Sequence, residues 1–163
     1  MNRKRIYLCL AHMSGNEMKY IQDAFDTNWV VPLGPNVNGF EKDLESFVGQ
    51  DKKVVALSAG TAAVHLALLD CDVKAGDEVL VQSFTFCASS NPIKYLGAKP
   101  VFVDSEKETW NMDPQLLDKA IADRIEKTGK KPKAIIVVYL YGMPAKIDEI
   151  LQVANKYDIP LIE

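Results

Sequence analysis

Five short β-rich runs constrain this chain more than any other feature. KVVAL, EVLVQ, PVFVD, KAIIVVYL and IPLI follow one another with helix-patterned stretches between them, at 61–70, 87–96, 114–127 and 145–157. Strands separated by a helix cannot pair as hairpins, because a crossover of that length serves parallel neighbours. The run AIIVVYL does not alternate apolar with polar, which fits a strand covered on both faces. The pattern therefore predicts an α/β fold, a three-layer α/β/α arrangement around a mainly parallel sheet. Crossovers are expected to be right-handed, while strand order stays open. With 163 residues the chain is long enough for one domain with a real core, 1–163, in which 1–50 supplies helices and a loop leading into the sheet.

That leading part has its own signals. Ser14 and Glu17 have capping-box spacing ahead of the apolar positions Met18, Ile21 and Phe25. The loop DTNWVVPLGPNVNG carries Trp29, an aromatic that a plain linker does not need, and a second helix is expected from Phe40 to a C-terminal Gly49. A net charge of −3 without a basic stripe argues against nucleic acid. The apolar stretch from Ile6 to Ala11 is too short for a signal peptide, and AIIVVYLYG is too short to span a membrane. Cys9, Cys71 and Cys87 form no CxxC pair, so neither a zinc site nor a disulfide framework is expected, and a cytoplasmic setting fits best.

The junction KVVALSAGTAAVHLALL is where chemistry is expected. Ligands of open α/β sheets sit outside the carboxyl ends of the strands. If Thr61 opens the helix, the first amides are unpaired and lie at the positive end of the helix dipole. Gly60 leaves room for an anion and Thr61 adds a hydroxyl, together a phosphate cradle. A tight strand–helix turn with a merely structural glycine explains the same residues. Neither GxGxxG nor GxxxxGK[ST] is present, which disfavours dinucleotide and P-loop readings.

In QSFTFCASSNP, Phe84 and Phe86 would share one face of an extended segment. One ring could stack on a flat ligand, whereas Phe84 is expected in the core. Asp104 reads as a turn or cap residue and His65 as a core histidine. His12 has no nameable partner, and the hydroxyls of Tyr139 and Tyr141 could reach a ligand from the end of their strand. No catalytic triad and no metal-ligand spacing can be argued from these residues.

ALSAGTAAVHLALL, GDEVLVQSFTFCASSNPIKYLGAKPVFVD, YLYGMPAKIDEI and IPLIE, with NWVVPLGPNVNGFEKDL before them, together resemble the DegT-type nucleotide-sugar aminotransferases in order and spacing. The resemblance runs from about Ile6 to Glu163. It implies the pyridoxal 5′-phosphate (PLP) cofactor and the large domain of the aspartate-aminotransferase fold, fold type I. Gly60 and Thr61 match the positions that hold the cofactor phosphate, and Phe86 matches the aromatic that stacks on its ring. Trp29 and Gly34 match a segment near the sugar site and dimer interface. Tyr139 departs from the pattern, standing where many relatives carry His.

The implied reaction aminates a keto group on a nucleotide-linked sugar, with glutamate as amino donor, in a cytoplasmic homodimer serving polysaccharide or glycan synthesis. The lysine that holds the cofactor covalently and the aspartate at its ring nitrogen are expected beyond Glu163. The chain thus reads as a truncated large domain without its own catalytic residues, inactive alone and prone to self-association through exposed sheet edge. A non-catalytic module for a phosphorylated ligand or a protein partner remains open, as does a sugar dehydratase of the same family.

Overall fold

The structure, a computed structural model, describes residues 4–7, 9–49 and 51–163. The chain divides into two compact units, Met1–Ala56 and Leu57–Glu163.

The first unit contains α1 (Glu17–Asp26) and α2 (Pro35–Val48). The expected capping box is only half made. The Glu17 carboxylate accepts from the Ser14 and Gly15 amides at 2.6 and 2.9 Å, but Asn16 is the N-cap and uses no side chain. Helix α2 starts at Pro35 rather than at Phe40. Proline at the first helical position needs no amide partner there, and Gly34 supplies the turn before it with φ 129°. Gly49 follows the last turn and donates to the Glu45 carbonyl at 3.0 Å, with φ 120° and ψ 153°. It therefore leaves α2 extended rather than in the left-handed helical turn typical of a C-terminal glycine.

KVVAL, expected as the first strand, is not one. Two α2 carboxylates take its amides instead: Glu45 accepts from Val54 at 3.2 Å and Glu41 from Ala56 at 2.8 Å. A strand needs those amides for a neighbour, so the β propensity of the run has nothing to pair with.

The second unit runs α3 (Gly60–Asp70), β1 (Glu78–Gln82), α4 (Asn91–Tyr95), β2 (Lys99–Val103), α5 (Pro114–Thr128), β3 (Ala134–Ile136), α6 (Ile147–Tyr157) and β4 (Leu161–Ile162). The four strands are parallel in the order β2-β1-β3-β4. The helix expected at 87–96 is broken into a single 3-10 turn, Cys87–Ser89, and α4. Pro92 has no amide to continue the ladder through the break. Helix α5 matches its signals: the Asp113 side chain accepts from the Gln115 and Leu116 amides at 2.7 and 3.1 Å, and Pro114 follows.

Alternate strand residues face two cores. Leu80 and Ile135 point to Leu117 and Ile121 of α5 and Ile150 of α6. Val79, Val81, Ala134 and Ile136 point the other way, to Leu68 of α3 and Ile93 of α4. Helices thus cover both faces, as expected of a three-layer α/β/α fold, and each fully buried Leu or Ile contributes about 1.5–3 kcal/mol. At the amino end of β1 the Arg124 guanidinium grips Glu78 through two bonds of 2.8 Å.

The connection from β1 to β2 runs outward over the α4 face. Those from β2 to β3 and from β3 to β4 run the opposite way over the α5–α6 face. The three crossovers therefore share one hand. The chain also reverses direction between β1 and β3, which makes their carboxyl ends the topological switch point.

Candidate functional site

At the switch point the two strands part. The next amide of β1, Ser83, pairs outward with the Val103 carbonyl at 2.8 Å. The gap towards β3 is bridged by a side chain. Gln82 is wholly buried; its amide NH2 donates to the Phe84 carbonyl at 2.9 Å, and its oxygen accepts from the Val138 amide at 3.1 Å. This is also why β3 stops short of the expected KAIIVVYL.

Beyond Gln82 the chain bends instead of staying extended, so Phe84 and Phe86 do not share a face. Phe84 lies edge-to-face on Trp110, with ring centroids 6.1 Å apart, and is half exposed rather than in the core. Phe86 sits just ahead of the 3-10 turn with 76% of its surface exposed. Hydroxyls of Thr85 and Ser89 bond across it at 2.9 Å, and its carbonyl accepts from the Ser89 amide at 3.0 Å. The ring is thus presented outward on a braced backbone.

The turn after Phe86 packs against α3, whose start is the junction quoted above. Ala59 is the N-cap, extended and without a capping side chain. Its carbonyl takes the Ala62 and Ala63 amides at 3.0 and 3.1 Å. Among the described residues no group accepts from the Gly60 or Thr61 amide, and none pairs with the Thr61 hydroxyl. Gly60 does not have a positive φ, and a Cβ there would meet no atom within 4 Å. Neither backbone conformation nor packing requires glycine, so the merely structural reading of Gly60 loses its support. What the residue leaves is open space in front of two unpaired N–H groups, at the helix end that favours anions.

A second group of loops lies at the same strand ends and is organised differently. Between β2 and α5, the nearly buried Glu106 carboxylate accepts from the Glu108 and Thr109 amides at 2.7 and 2.8 Å and from the Thr109 hydroxyl. Chiefly through that hydroxyl, with the amides adding to it and burial opposing, its pKa is lowered to about 2. The wholly buried Asn111 donates to the Met143 carbonyl at 2.8 Å and accepts from the Leu140 amide at 2.9 Å. It thereby ties this loop to the turn Leu140–Gly142. Trp110 and Tyr141 are both exposed and held at positive φ, 64° and 53°. Cavities of about 500 and 480 Å³ adjoin the Phe84–Trp110 pair. The hydroxyl of Tyr139 donates to the Glu163 carboxylate, which pushes its pKa up to about 12.

In the first unit Trp29 and Gly34 lie together. A Cβ on Gly34 would come within 3.0 Å of the indole, so this glycine is required by both close approach and φ. His65 is half-buried, meeting Tyr95 edge-to-face at 5.9 Å. Asp104 accepts from the amide of the next residue, Ser105, at 2.8 Å, and caps no helix among the described residues. Gln82, Asn111 and Glu106 escaped the sequence reading. Gln82 alone left a signal, a polar residue closing an otherwise apolar strand.

The DegT/DnrJ/EryC1/StrS aminotransferase family matches residues 11–163. EpsN of Bacillus subtilis (strain 168), named "Putative pyridoxal phosphate-dependent aminotransferase", is 52% identical over 98% of this chain and 41% of its own length. GDP-perosamine synthase of Caulobacter vibrioides is 38% identical over the same shares of the two chains. Among solved structures, a DegT DnrJ EryC1 StrS aminotransferase from Brucella abortus superposes with a TM-score of 0.77 at 32% identity, over 92% of this chain and 43% of that one. NtdA of Bacillus subtilis with bound cofactor PMP gives 0.76 at 29% identity, over 91% and 33%. The chain thus spans about two fifths of the length of these curated relatives. Over that span sequence and fold agree, and the chain belongs to the DegT/DnrJ/EryC1/StrS aminotransferase family.

Proposed function

We propose that this chain forms the cofactor-cradling part of a PLP-dependent aminotransferase that aminates a keto group on a nucleotide-linked sugar. The observation that carries the reading is the start of α3, with two amides unpaired among the described residues and a glycine that neither its backbone conformation nor any described neighbour requires. Bound PLP supplies an electron sink for the carbon that exchanges its amino group. The Gly60 and Thr61 amides, with the Thr61 hydroxyl, would hold its phosphate, and Phe86 would supply the ring that stacks on the cofactor. Trp29 and Gly34 belong to a segment near the sugar site and dimer interface. Residues 1–163 act as one cofactor-binding domain, with 1–50 leading into it.

The amino donor is glutamate, and the working form is a cytoplasmic homodimer in polysaccharide synthesis. The substrate class is supported by relatives named GDP-perosamine synthase and UDP-2-acetamido-2-deoxy-3-oxo-D-glucuronate aminotransferase. No helix among the described residues is long and apolar enough to cross a membrane. The covalent lysine and the aspartate at the ring nitrogen belong, on this reading, to sequence following Glu163, and residues 1–163 alone have no transaminase activity. Lys146, beside the switch-point loops, is already paired with Glu108 at 2.8 Å and Glu106 at 3.7 Å.

Titration with PLP, with inorganic phosphate as competitor, tests the reading. Saturable binding that phosphate displaces and Thr61→Val weakens is expected. Binding indifferent to both would contradict it, and measurable transamination by the 163-residue protein would refute the division of labour.

A further inference from the structure

Gln82 has no part in the reading above, yet it occupies the place in the fold where a side chain has most leverage. It lies at the switch point, is wholly buried, and spends both ends of its amide on backbone groups in the segments that leave two different strands. One bond fixes the Phe84 carbonyl, inside the bend that leads to Phe86. The other fixes Val138, two residues beyond the end of β3, so the bend is referenced to the segment leaving the neighbouring strand rather than to β1 alone. The Thr85–Ser89 bond braces the far side. Phe86 itself is too exposed for packing to hold it. Its placement comes from this backbone bracket, and Gln82 is the bracket's inner anchor.

We propose that Gln82 is a positioning residue: through the 83–85 bend it sets the height and angle at which Phe86 meets the ring of a ligand whose phosphate sits at Gly60 and Thr61. This rests on the cofactor-site reading of those three residues. It makes one distinctive demand. Loss of Gln82 should weaken ligands that carry the ring and spare those that carry only the phosphate.

Pyridoxamine 5′-phosphate, which has no aldehyde to react with surface lysines, and inorganic phosphate are the two probes. Their affinities are measured by calorimetry on the wild type, Gln82→Met, Gln82→Glu, Phe86→Ala and the Gln82→Met/Phe86→Ala pair. Asn111→Leu serves as control, because it removes an equally buried amide with the same bonding pattern. Gln82→Met should weaken pyridoxamine phosphate about tenfold, the size of one aromatic stacking contact, and shift phosphate less than about twofold. The double variant should lose no more than Phe86→Ala alone, since both changes remove the same contact. Asn111→Leu should lower the melting temperature while leaving the ratio of the two affinities at its wild-type value.

Should Gln82→Met fail to fold, Gln82→Glu decides. Ionised at alkaline pH it keeps the acceptor for Val138 and sets a second oxygen against the Phe84 carbonyl, whereas protonated at acid pH it donates to that carbonyl, so the same selective loss should appear on the alkaline side and fade on the acid side. Wild-type-like binding of pyridoxamine phosphate, or a loss shared equally with phosphate, overturns the proposal while leaving the cofactor site standing. A wild type that binds neither probe overturns both.

Discussion

Two sets of loop amides lie at the carboxyl ends of this sheet, and the chain treats them in opposite ways. Between β2 and α5, the amides of Glu108 and Thr109 point at a carboxylate supplied by the chain itself, Glu106. At the start of α3, the amides of Gly60 and Thr61 point at nothing the described residues supply. Buried donors are almost always paired, and exposed helix starts usually carry a capping Ser, Thr, Asp or Asn. Here the N-cap is Ala59, followed by a glycine with open space before it. The comparison teaches that one loop has its anion built in, while the other leaves two amides without a partner among the described residues, the feature on which the proposed cradle rests.

The most severe way to break the contrast is to build the missing anion in. A Cβ at position 60 meets no atom within 4 Å, and Gly60→Asp places a carboxylate at the positive end of α3. It should stabilise the protein by about 0.3–1 kcal/mol while weakening phosphate and PLP binding by on the order of a hundredfold, a loss of about 2.7 kcal/mol. Thermal melts and calorimetric titration of one sample read both. A variant that binds PLP normally would mean that the cradle lies elsewhere.

Removing a support from the self-satisfied region comes next. Asn111→Leu strands the Leu140 amide and the Met143 carbonyl, at a cost of about 1–3 kcal/mol in a urea titration. Phe86→Ala, by contrast, should leave stability within about 0.5 kcal/mol, as expected for an exposed side chain, and affect only ring-bearing ligands.

The gentlest probe is pH. The folded protein holds Glu106 at about 2, below the ordinary 4.5, so the unfolded chain takes up its proton first. Its contribution is complete above pH 4.5 and disappears as pH falls towards 2. Glu106→Gln should flatten that part of the stability profile and leave PLP affinity at neutral pH unchanged. An unaltered acid limb would show that the loop amides are satisfied in some other way.

Much of this was legible in the order of residues. The parallel α/β sheet follows from apolar runs separated by helical lengths, and the α5 boundary from Asp113-Pro114. Gly60 and Thr61 could be singled out because a small-residue turn opening a helix is a local pattern, whereas only the family resemblance separated Phe86 from Phe84. Partners distant in sequence left no such mark. Whether KVVAL pairs as a strand depends on Glu41 and Glu45, which claim its amides across a turn of chain. Gln82 and Asn111 earn their roles only once residues 56 and 29 positions away arrive beside them. Phe84 read as core because its spacing fits a strand, but the bend that Gln82 holds turns it onto Trp110.

The central claim is that the start of α3, and not the Glu106 loop, receives the anion. Amide resonances followed by NMR during titration with inorganic phosphate and then PLP test it most directly. Gly60 and Thr61 should shift with both ligands, Phe86 and its neighbours with PLP alone, and Glu108 and Thr109 with neither. Shifts centred on 108–109, or none at 60–61 while ligand binds, would contradict the account.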